Sequence, residues 1–220
     1  MRWLAGMAFA LMHAACSGGA PAPDALTADA STGGLVIEVV AKGGVPQMPE
    51  PTIEITRVTI GVKNLRAIGD AAPGDLRTTR TDAEPNNIDL DFYDSFVPVP
   101  QLFRDAPPGV YSSVELRVAD SRLASAAIDV LGRASRGGNL VPFEVKCALS
   151  EVPITIAVNT VLMPRMLATT TIEVDVAWLV KDIDWDAVPL TAEGRLFVGD
   201  GDPEMASVVS NVATAFSAAQ

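Results

Sequence analysis

Histidine is nearly missing. The 220 residues hold one, His13, and it lies in an apolar leader. Ser-His-Asp and Cys-His nucleophiles, and every zinc site with an imidazole ligand, are therefore excluded from the rest of the chain. Cysteine is limited to Cys16 and Cys147. Aromatic residues make up 5%, too few to line an extended sugar-gripping cleft. Positive charge is also short, with 16 Lys and Arg against 27 Asp and Glu and a net charge of −11. An acidic chain repels phosphate backbones, which argues against a nucleic-acid partner. No segment approaches the roughly 20 apolar residues of a membrane-spanning helix. No Gly-rich loop opens a helix in phosphate-binding form.

What is present begins with the leader. Arg2 supplies a positive charge, Trp3 to Met12 is apolar apart from one glycine, and Ala14 and Ala15 are small. That is the layout of a secretory signal over residues 1–15. Ala14, Ala15 and Cys16 resemble a bacterial lipobox, in which cleavage leaves a cysteine to carry diacylglycerol. His13 departs from the pattern, which usually has an aliphatic residue there. Residues 16–33, "CSGGAPAPDALTADASTG", have no helical or strand period and the composition of a flexible tether. Cys16 is thus the expected lipidation site and the membrane the expected partner through that anchor. The expected location is the cell envelope, at the outer membrane or cell surface. Cleavage without acylation, giving a secreted or periplasmic protein, is the alternative.

From Gly34 the dominant period is two, the signature of strands. "LVIEVV", "TIEITRVTIGV", "NIDLDFYD", "GVYSSVELRVAD", "AIDV", "VPFEVKCALS", "VPITIAVN", "TTTIEVDVAWLV" and "GRLFVGD" predict about eight or nine strands. In the second of these Ile53 and Ile55 share one face and Val58, Ile60 and Val62 the other, so a bulge is expected near Arg57. In the fourth, Val110, Val114, Leu116 and Val118 are expected inward. In the eighth, Ile172, Val174, Val176 and Trp178 are expected inward. Gly69 to Asn87 reads as the longest loop. Strands that hide one face require two sheets, and a polar opposite face implies antiparallel pairing. The predicted fold is mainly β, an antiparallel β-sandwich over residues 34–220 with a C-terminal amphipathic helix over 203–217. Asp202 is its expected cap and Pro203 its first residue. Met205, Val208, Val212 and Phe216 form its apolar face. Cys147 shares a face with Val141, Phe143 and Val145, which predicts a buried, inert thiol.

"APPGVYSSVELRV" (Ala106–Val118) and "TIEVDVAWLVKDIDWDAV" (Thr171–Val188) resemble segments of a domain of unknown function common in bacterial lipoproteins. The Pro-Gly-x-Tyr strand start is also typical of Ig-like and prealbumin-like sandwiches. The resemblance implies an Ig-like or prealbumin-like sandwich on a cell-envelope lipoprotein, and it brings no catalytic residues.

The candidate chemistry is acidic. Asp182, Asp184, Asp186 and Glu193 fall at positions one, three, five and twelve of an EF-hand-like loop, a spacing that could gather oxygen ligands for calcium. Ala187 replaces the glycine such a loop needs, and Pro189 interrupts it. Asp200 and Asp202 form a second acidic pair before the helix. A third group, Asp89, Asp91 and Asp94, falls on the outward face of a strand and reads as solvated charge. The leading expectation is a non-enzymatic envelope lipoprotein with a binding or structural role, no cofactor, and an unidentified envelope protein or glycan as partner. The alternatives are a calcium-dependent carbohydrate- or protein-binding module and a carboxylate-based hydrolase.

Overall fold

The computed structural model describes residues 33–70, 76–79, 87–94 and 98–219. The expected signal, Cys16 and residues 17–32 lie outside the described residues. Thirteen strands and two helices are described. In chain order these are β1 (Gly33–Ala41), β2 (Gln47–Glu50), β3 (Ile53–Asp70), β4 (Leu76–Thr79), β5 (Asn87–Tyr93), β6 (Gln101–Ala106), β7 (Gly109–Val118), β8 (Ile128–Arg136), β9 (Asn139–Cys147), β10 (Val152–Leu162) and β11 (Leu167–Val174). Then follow α1 (Val176–Val180), β12 (Leu196–Val198), α2 (Met205–Val212) and β13 (Phe216–Ala218). A four-stranded sheet of order β13-β11-β1-β6 packs on a nine-stranded sheet. The larger sheet follows the path β10-β7-β3-β8-β9-β12, and β2, β4 and β5 also pair with β3. The protein is a β-sandwich, with more strands than the sequence suggests because β2, β4 and β13 are too short to show a period and β6 is not among the predicted segments.

Two pairings correct the antiparallel expectation: β1 runs parallel to β11, and β9 parallel to β12. Leu35, Val36, Ile37 and Val39 are all buried, so β1 is covered on both faces, the usual setting of a parallel strand. Gly69 to Asn87 is not one long loop, since β3 continues to Asp70 and β4 pairs back onto it.

The irregularity near Arg57 is present, between Ile55 and Arg57 against β8. Its effect is to bring both apolar sets of β3 inward. Ile53, Ile55, Val58, Ile60 and Val62 are all in the core, where plain alternation would split them between faces. A second register shift corrects the reading of β7. Its pairing with β3 slips between Ile68 and Gly69, opposite Ser113 and Tyr111, and Tyr111 is buried beside Gly69 while Val110 is exposed. One contiguous cluster joins the two sheets, α1 and α2. Each fully buried aliphatic side chain in it contributes about 1.5–3 kcal/mol.

The strand expected through Trp178 ends at Val174. The Asp175 carboxylate accepts the Trp178 backbone N–H at 3.1 Å, capping α1 and turning the chain out of the sheet. Leu179 and Val180 are buried instead, and Trp178 is partly exposed, donating its Nε1–H to Thr214 Oγ1 at 2.9 Å. The C-terminal helix is also shorter than expected. It covers Met205–Val212, its cap position is Glu204, and Glu204 makes no side-chain capping bond. Asp202 accepts the Gly199 N–H at 2.7 Å instead. Phe216 leaves the helix and pairs with Val174 in β13, which covers the free edge of β11.

Candidate functional site

The acidic stretch after α1 is arranged for local structure. Asp182 accepts from Asn211 Nδ2 at 3.1 Å. Asp184 accepts the Asp186 N–H at 3.2 Å, an Asx-type turn. Glu193 bonds its own backbone and Thr191, which holds its carboxyl below the ordinary range. Asp200 accepts the Ala148 N–H at 3.1 Å. Among the described residues no group of three or more His, Cys, Asp and Glu lies close enough to hold a metal ion. Cys147 is fully buried, and burial, with Asp200 nearby, pushes its thiol up to about 12. It stays protonated and unreactive at neutral pH.

The outer face of the large sheet is different. Here β5, β3 and β8 place Asp91, Thr59 and Asp129 side by side, because Thr59 is in register with both. One pair along the strands, Tyr93, Arg57 and Leu131 make a second row. Arg57 grips Asp91 with two bonds, Nε to Oδ1 at 2.9 Å and a terminal nitrogen to Oδ2 at 2.7 Å. Thr59 donates a third bond to Oδ1 at 3.0 Å. Asp91, read as solvated charge, is 8% exposed. Its bond raises the Arg57 guanidinium above its ordinary value. Arg57 also lies 5.1 Å from the Tyr93 ring centroid, so its fork is fixed on two sides.

Asp129 has no such partner. Its Oδ1 is buried and makes no hydrogen bond. Burial first, then the charge of Glu144, raises its carboxyl above the ordinary range, while Lys146 opposes the shift. Asp129 lines a recess of about 70 Å³ together with Arg57, Thr59, Leu123, Ala124 and Leu131.

The recess exists because the 119–127 loop lies against the sheet. Ala119 and Ser121 approach Gly61 so closely that a Cβ there would overlap their backbone. The Ser121 hydroxyl accepts from Leu123 and Ala124 N–H, and Asp89 accepts from Arg122 N–H at 3.1 Å. Arg57, Thr59 and Asp129 are not marked by any motif. The one local signal is Gly61, since a glycine inside a strand marks a close backbone approach.

No protein-family model matches the chain, and no curated protein matches it. Among solved structures, MbnP from Methylosinus trichosporium is similar at 14% sequence identity, with a TM-score of 0.44 over 80% of this chain and 86% of that one.

Proposed function

We propose that the protein is a lipid-anchored binding module of the bacterial cell envelope, without catalysis of its own, whose recess receives a small cationic group. The observation that carries this reading is the buried, unpartnered Oδ1 of Asp129. A desolvated carboxylate oxygen demands a donor. Arg57 turns Nε and one terminal nitrogen to Asp91, and no hydrogen bond reaches Asp129 Oδ1. The recess of about 70 Å³ has room for roughly two waters, which is the scale of an ammonium or guanidinium head. A sugar ring or a drug-sized ligand needs several times more. The rim of Leu123 and Leu131 suits the alkyl stem behind such a head.

The anchor rests on the leader and the lipobox-like Ala14-Ala15-Cys16. Detergent partitioning tests it: the wild type enters the detergent phase and Cys16→Ala does not. For the recess, amide shifts in labelled protein are followed as ethylammonium is added. Shifts centred on Arg57, Thr59 and Asp129, lost in Asp129→Asn, are expected. Shifts scattered over the acidic surface, or unchanged in Asp129→Asn, would overturn the assignment.

A further inference from the structure

The described chain starts at Gly33, and the surface beside it is apolar. Gly33 pairs with Ala106 and packs on Leu162 and the Met166 carbonyl. The Gly34 N–H donates to that same carbonyl at 2.9 Å. The start of β1 is thereby fixed to the β10–β11 turn, "LMPRML" (Leu162–Leu167). Met163 is 58% exposed, Met166 57% and Leu167 45%. Behind them Val161 and Val110 face each other across β10 and β7, both exposed. Five large apolar side chains thus crowd one end of the sandwich. A cluster of that kind marks a contact surface more often than scattered singles do.

Three observations choose the occupant. The first is position: residues 17–32 connect this end to Cys16. That segment is 16 residues long. A lipid on Cys16 would thus be joined nearer to this end than to the far one. The second is charge. In a chain of net −11, Arg104 and Arg165 lie exposed at this end. The acidic 182–204 stretch follows the far end of β11, beside Ala41, roughly 25 Å along the strands. The third is the turn itself. Arg165 has φ 61°, a left-handed conformation that favours glycine. The turn keeps an exposed arginine between two methionines at some backbone cost.

We propose that the β10–β11 turn, with Val110 and Val161, docks on the lipid bilayer that holds the acylated N-terminus. The proposal rests on the anchored reading of Cys16. Met163, Met166 and Leu167 enter the boundary of headgroups and acyl chains. Arg165 and Arg104 stay at headgroup level, where anionic lipid favours them. The two contacts are complementary, because the diacylglycerol holds the chain at the bilayer and the turn fixes which end faces it. Docking at this end turns α1, α2 and the acidic stretch away from the bilayer.

The test fixes the tether chemically, so that it does not depend on what the cell attaches to Cys16. Unacylated protein is coupled through Cys16 to maleimide lipid in phosphatidylglycerol vesicles with brominated acyl chains; the buried Cys147 does not compete. Two variants are compared, Met163→Trp at the turn and Met48→Trp at the far end of β3, both replacing well-exposed methionines. With the emission of Trp178 and Trp185 in the parent protein subtracted, the emission of the Trp introduced at Met163 is expected to shift to the blue and to be quenched several-fold more than that of the Trp introduced at Met48. Equal quenching would overturn the proposal. So would a blue shift of Met163→Trp that is present without vesicles and disappears on dilution, which would assign the patch to a second copy. The detergent partitioning of Cys16→Ala reports separately on the anchor, so the two readings fail independently.

Discussion

Two regions of this protein are rich in carboxylates, and they use them in opposite ways. Along residues 182–204 most of the acids have a nearby donor. The Asp184, Asp200 and Asp202 carboxylates accept backbone N–H groups, and Asp182 accepts an amide from α2. On the outer face of β3, β5 and β8 the acids are fewer, yet one is left with an unmet oxygen. Density of charge marks the first region, and a buried carboxylate oxygen without a donor marks the second. The lesson is that a binding point is found by counting unmet hydrogen bonds, because exposed acids are satisfied by water and by their own turns.

Substitutions can break that contrast, and the largest effect is expected at Gly61. Gly61→Ala drives a Cβ into the backbone of Ala119 and Ser121, so loop or strand must shift at a cost of about 3 kcal/mol. Chemical denaturation measures the loss, and amide shifts around Asp129 should show the recess opening. Next is Arg57→Leu. It leaves Asp91 buried with Thr59 alone. A fully buried pair would cost 3–5 kcal/mol on losing one partner. The Arg57 side chain is 45% exposed, so about 2 kcal/mol is expected, screened in part by water.

Asp129→Asn has a smaller effect of the opposite sign. A carboxyl raised above its unfolded value weakens the fold as pH rises through the ordinary carboxylate range, and the penalty is complete above the folded value. The variant should therefore be more stable than wild type at pH 7 by about 1 kcal/mol, the scale of an unpartnered desolvated atom. The gain should vanish below about pH 4, where the wild-type acid is protonated in both states. Melting curves across pH check this. Asp184→Asn is the comparison from the acidic stretch. The amide oxygen still accepts the Asp186 N–H, so a change within about 0.5 kcal/mol is expected.

How much of this was legible in the sequence depends on range. Alternation located the long strands, the bulge near Arg57 and the buried thiol of Cys147, since these follow from neighbours along the chain. Tyr111 and Val110 changed places because a register shift between β7 and β3 is set by the partner strand. Trp178 turned outward because one side chain, Asp175, caps a helix where the period still read as strand. Asp91 and Asp129 were hidden for the same reason at larger scale. Their outward phase is correct, and the 119–127 loop then covers that face. The acids after α1 have EF-hand spacing, but their backbone closes on itself as short turns.

The central claim is that Asp129 holds an unmet demand which a cationic group satisfies. Carbon-13 titration of the side-chain carboxyls tests it most directly, run with and without ethylammonium. The account predicts that Asp129 titrates above the ordinary aspartate range and falls back towards it when the amine is present. A titration within the ordinary range, or one unmoved by the amine, would contradict it.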